Sequence, residues 1–101
     1  MRLTRFQIDA IIRLAREKFG DESKVSLFGS RTDDRKKGGD IDLFISNIDA
    51  AVLTIEAKAR FLAALKAEIG DRKIDVVFDD IPTRGKMQFY RSIIRQKVDL
   101  Q

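Results

Sequence analysis

Residues 40–45, Asp40-Ile41-Asp42-Leu43-Phe44-Ile45, decide the fold. On an extended chain successive side chains alternate between two faces. Ile41, Leu43 and Ile45 therefore enter a core, while Asp42 points the other way, on the side that Asp40 shares at the mouth of the strand. Working outward, residues 73–78 repeat the arrangement. Ile74, Val76 and Phe78 share one face, and Asp75 shares the opposite one with Val77. Aspartate is depleted from strands, so two strands each interrupted by one require a reason. Lys24 to Phe28 is a further strand, with Val25 and Leu27 in alternation.

Helices surround these strands. Ile8, Ile11, Ile12, Ala15 and Phe19 recur at helical spacing between Thr4, a capping residue, and Gly20, a stop. A second helix runs from near Ala51 to Ile69, with Ile55, Ala59, Leu62, Leu65 and Ile69 as its inward stripe and Gly70 as its end. Asp80, Pro82 and Thr83 read as a turn, and Asp79-Asp80 as turn and helix cap rather than metal ligands. Lys86 to Gln96 is a last helix, with Met87, Tyr90, Ile93 and Ile94 inward, and Val98 to Leu100 is a short edge strand. Phe6, Phe19, Phe61 and Phe89 read as packing residues. The order predicts an α/β (α+β) fold, a small mixed β-sheet with helices packed against it.

The 101 residues fit one domain spanning 1–101. Absence of Cys and His excludes disulfides, thiolate zinc sites, a cysteine nucleophile and an imidazole base. Any metal must then take oxygen ligands, which suits Mg²⁺, Mn²⁺ or Ca²⁺. A net charge of +4 is compatible with phosphate-bearing partners without arguing for them. There is no nucleic-acid recognition module, no apolar run near the roughly 20 residues of a membrane span, and no apolar signal region after Met1. The expectation is a cytoplasmic protein.

If the strands of Asp42 and Asp75 are neighbours, Asp40, Asp42 and Asp75 converge. Two carboxylates about 4 Å apart repel by roughly 4 kcal/mol at an effective dielectric of ~20. A crowded group survives by taking up a proton or a divalent cation; the alternative is a solvated sheet face. Ahead of the acids, Phe28-Gly29-Ser30-Arg31 ends a strand in free backbone N–H groups, a hydroxyl and a guanidinium. Such a loop can cradle a phosphate, and the alternative is an ordinary turn. Arg35-Lys36-Lys37 reads as solvated loop, the alternative being a basic run that steers a triphosphate or grips a partner. A phosphate-holding loop with metal-holding acids suits phosphoryl or nucleotidyl transfer.

Gly29-Ser30, nine intervening residues and Asp40-Ile41-Asp42-Leu43 resemble the signature of the DNA polymerase beta-like nucleotidyltransferase superfamily. Lys73-Ile74-Asp75-Val76-Val77 resembles the strand carrying its third acid, and in length and element order the chain is similar to the minimal nucleotidyltransferases (MNT proteins). The resemblance implies that Asp40 and Asp42 bind two catalytic Mg²⁺ ions, with Mn²⁺ as the alternative. It implies that Asp75 binds one of them and helps deprotonate the attacking hydroxyl, and that Gly29 and Ser30 hold the triphosphate of ATP with Arg31 beside them. It further implies an antitoxin paired with a HEPN-domain toxin, whose tyrosine receives AMP. Many minimal members carry Arg-Ala-Arg-Gly after the Gly-Ser pair, whereas here Arg31 is followed by Thr32-Asp33-Asp34. The other readings are an antitoxin that neutralises its partner by binding alone, and a nucleotidyltransferase acting on a small molecule, which usually carries a further domain. A homo-oligomer is compatible with the sequence. The expected geometry is adjacency of the second and third strands, with the three acids in one cleft bordered by Ser30.

Overall fold

A computed structural model describes residues 3–29 and 40–100. Helix α1 (Arg5–Phe19) opens with a capping box: Gln7 N–H donates to Thr4 Oγ1 at 3.1 Å, and Thr4 N–H to Gln7 Oε1 at 2.9 Å. Strands β1 (Lys24–Phe28) and β2 (Ile41–Ser46) pair antiparallel. A 3₁₀ turn (Ala50–Val52) and helix α2 (Ile55–Ile69, capped by Thr54) carry the chain back to β3 (Ile74–Phe78). Such a crossover is what a parallel pair needs, and β3 pairs parallel with β2. Helices α3 (Ile81–Gly85) and α4 (Met87–Gln96) lead to the two-residue β4 (Val98–Asp99). The sheet order is β3-β2-β1-β4, so β3 and β4 are its edges.

The sheet separates two apolar clusters. Val25, Leu27, Ile41, Leu43, Ile45, Ile74 and Val76 face α1 and α2, where Ala10, Ile11, Leu14, Ala15, Phe19, Phe61 and Leu65 complete the main core. On the other face Phe28 and Phe44 pack with Ile93 of α4, flanked by Val77 and Tyr90. An ion pair between Arg13 and Glu68 ties α1 to α2.

Several expectations are corrected. The inward stripe of α2 is Ala57, Phe61, Ala64 and Leu65, with Leu62 and Ile69 at its border; Ile55 is 80% exposed and Ala59 is exposed too. The large ring of Phe61 selects that face, lying 5.3 Å from the Phe19 ring. In α1, Ala10 and Leu14 are buried while Ile8 and Ile12 are only half-buried. Phe6 and Phe89 are exposed, as are Met87 and Ile94 of α4. The segment read as a turn is the helix α3: Asp80 Oδ1 accepts from Thr83 N–H at 2.9 Å, and Pro82 sits in the first turn, where its missing N–H costs nothing. Asp80 is thus the expected cap, and Asp79 pairs with Arg84 at 2.7 Å.

The small strand β4 is fastened by polar contacts. Ser26 Oγ and Lys97 Nζ each donate to Asp99 Oδ1 at 2.6 Å. The Lys97 hydrogen bond first, and the Ser26 bond second, hold the Asp99 carboxyl below its usual range. A folded-state pKa below the unfolded value stabilises above about pH 4 and ceases to do so as pH falls. We expect Asp99→Asn to melt lower than the parent near neutral pH, with the gap closing below about pH 4. A gap constant with pH would mean that the carboxylate's charge adds nothing.

Candidate active site

The β2–β3 register sets Asp42 directly beside Asp75. Neighbouring strands lie about 4.8 Å apart, so both carboxylates leave the same face of adjacent strands. That face is opposite the main core. Both residues stand at the N-terminal ends of the two parallel strands, the end at which the antiparallel β1 finishes in Phe28, the pairing partner of Asp42. Helix α4 covers this face where Phe44 and Phe28 lie, which leaves the acids at its open end. Asp42 is half-buried and Asp75 exposed.

A cleft of about 570 Å³ opens there. Asp42 and Asp75 line it, with Phe28, Val77 and Phe89 as an apolar wall and Lys58 of α2 reaching it around the β3 edge. The Phe28 and Phe89 rings meet edge to face, 6.3 Å between centroids, and Lys58 Nζ stands 5.9 Å from the centroid of Phe78. Lys58 and the aromatic wall were not read from the sequence. The signal for Lys58 lay in its spacing: it precedes Leu62 by one helical turn and so shares that residue's side of α2.

Of the expected site residues, Asp42 and Asp75 are brought together. Asp40 stands immediately before β2, exposed, and outside the residues lining the cleft. Gly29 follows β1 directly and adjoins Asp42. Ser30, Arg31 and the basic run Arg35-Lys36-Lys37 lie outside the described residues. Among the described residues no three metal-ligating side chains close on one point. Asp42 and Asp75 nevertheless offer paired carboxylate oxygens, a donor set suited to Mg²⁺ or Mn²⁺. Within the described residues no helix is long and apolar enough to cross a membrane.

No protein-family model matches the chain, and no curated protein does. Among solved structures it is similar to a chain of a toxin–antitoxin crystallised with AMP-PNP. The TM-score is 0.70 at 21% identity, over 93% of this chain and 72% of that one. It is also similar to a chain of the toxin–antitoxin MntA-HpeT in a mutant with two Asp-to-Glu substitutions, two positions apart. There the TM-score is 0.69 at 19% identity, over 93% of this chain and 71% of that one. At such identities the likeness establishes the fold, a small α/β domain on a four-stranded mixed sheet.

Proposed function

We propose that this chain is a metal-dependent nucleotidyltransferase acting as the antitoxin of a toxin–antitoxin pair, moving AMP from ATP to a hydroxyl of its partner, a HEPN-domain toxin. The observation that carries the reading is the side-by-side placement of Asp42 and Asp75 at the open end of the sheet. The fold supports it, being shared with a chain from a toxin–antitoxin crystallised with a nucleotide analogue. The doubly substituted neighbour adds to it, since its two altered aspartates have the spacing of Asp40 and Asp42.

In this reading Asp40, Asp42 and Asp75 hold the cation, which when bound supplies charge neutralisation to the triphosphate. Gly29 and Ser30 hold the phosphates. Asp75 accepts the proton as the acceptor oxygen bonds to the α-phosphorus, and the bond from that phosphorus to the bridging oxygen breaks, releasing pyrophosphate. Phe28 and Phe89 wall the cleft, and Lys58 adds a cation to it.

The test is incubation of the chain with the product of its neighbouring gene, Mg²⁺ and each nucleoside triphosphate labelled at the α-phosphate. We expect label from ATP to appear on the partner, and none when the label is at the γ-phosphate. A chain that binds the partner and transfers no label would leave an antitoxin acting by complex formation alone.

A further inference from the structure

We propose that Gly29 is a positioning residue for Asp42: the space where a side chain would stand at Gly29 is the space the Asp42 carboxylate fills. The inference rests on the reading of Asp42 as a metal-holding carboxylate. Pairing sets Phe28 opposite Asp42, so Gly29 is where the chain leaves β1 beside that carboxylate. A β-carbon built on Gly29 would lie 2.5 Å from Asp42 Oδ2 and 3.2 Å from its Cγ. The first distance is far inside van der Waals contact. Asp42 has a short side chain on a backbone pinned from both sides, by Phe28 in β1 and by Asp75 in β3. A methyl group at Gly29 would therefore turn the carboxylate away from its place beside Asp75. A glycine before a serine in such a loop is commonly explained by a ligand approaching the backbone; here the neighbour is the protein's own acid.

Gly29 also has φ +71°, so backbone strain must be separated from collision. The Asp42→Ala background provides the reference: it removes the carboxylate that a β-carbon at Gly29 would meet and leaves the Gly29 backbone strain in place.

The experiment is a melting cycle on the full chain, with Gly29→Ala, Asp42→Ala and the double variant. Gly29→Ala is expected to lower Tm clearly more in the parent than in the Asp42→Ala background, where the backbone strain alone remains. The ¹³Cγ resonance of Asp42 is expected to move in Gly29→Ala. Equal Tm losses at Gly29 in both backgrounds, or an unmoved Asp42 resonance, overturn the proposal. If Gly29→Ala alone does not fold, a folded double variant supports the proposal and an unfolded one overturns it. Mn²⁺ titration of the parent, followed by electron paramagnetic resonance, separates this from the functional reading. A parent that binds no Mn²⁺ and transfers no nucleotide defeats the proposed function, while the melting cycle still decides the role of Gly29.

Discussion

Asp42→Asn is expected to lower nucleotide transfer by at least about a hundredfold to a thousandfold, the scale on which losing one preorganised charge-stabilising group acts. The substitution keeps the shape of the side chain and removes its charge, so the loss is not one of folding. Asp42 and Asp75 are direct neighbours in register, and like charges placed opposite each other on a sheet are destabilising by up to about 1 kcal/mol. The variant should thus melt no lower than the parent in metal-free buffer. It should also lose most of the rise in Tm that Mg²⁺ with ATP gives the parent by mass action. Thermal shift with and without these ligands, beside the label-transfer assay, reads both effects. A variant as active and as ligand-responsive as the parent would remove Asp42 from the site. A variant that melts far lower would make it a structural residue.

Phe61→Ala is expected to destabilise the chain by about 3–5 kcal/mol, the usual cost of deleting a fully buried aromatic ring. Phe61 is 0% exposed and its ring meets that of Phe19, which in turn lies 5.5 Å from Phe78 of β3. The cavity would open where α1, α2 and the sheet meet. For a domain of this size the fall in Tm is on the order of 20 °C, a large share of a typical total stability of ~5–15 kcal/mol. Ile55→Ala, on the stripe that periodicity favours, should change stability by no more than about 0.5 kcal/mol. Paired melts of the two variants test the orientation of α2 directly. Similar losses would place the helix face wrongly.

The strands were legible because apolar alternation and a misplaced aspartate are both local signals. Val25 with Leu27, Ile41 with Leu43 and Ile45, and Ile74 with Val76 each declare a buried face without reference to the rest of the chain. The period-2 placement of Asp42 and Asp75 put them on the opposite face, and the register of β2 with β3 aligned them. Three helix ends were equally local, since Thr4, Gly20 and Gly70 act within one turn, whereas the start of α2, expected near Ala51, lies at Ile55 behind the cap Thr54, with a separate 3₁₀ turn over Ala50–Val52. The face of α2 was not legible. Ile55-Glu56-Ala57-Lys58-Ala59-Arg60-Phe61-Leu62 offers apolar residues on more than one side, and the packing of Phe61 into the core, its ring against Phe19, decides between them. The Asp80-Ile81-Pro82-Thr83 segment illustrates a shared vocabulary, because the residues that make a turn also begin a helix. The approach of Gly29 to Asp42 depends on strand pairing, which no local window contains.

Asp75 lies on β3, an outer strand of the sheet. In the parallel ladder, Lys73 O and Ile45 O take part in bonds between β3's flanks and β2, so the main-chain groups of Ile74, Val76 and Phe78 point away from the sheet. Such a row is a template for another extended chain, and proteins blunt it with charge. Two copies meeting rim to rim along β3 would bring two Asp75 carboxylates towards one another. Asp75, proposed above for chemistry, thus also sets a charge on an outer strand, which disfavours such pairing. Neutral substitutes at position 75 are expected to precipitate sooner than the parent on prolonged warming at equal concentration.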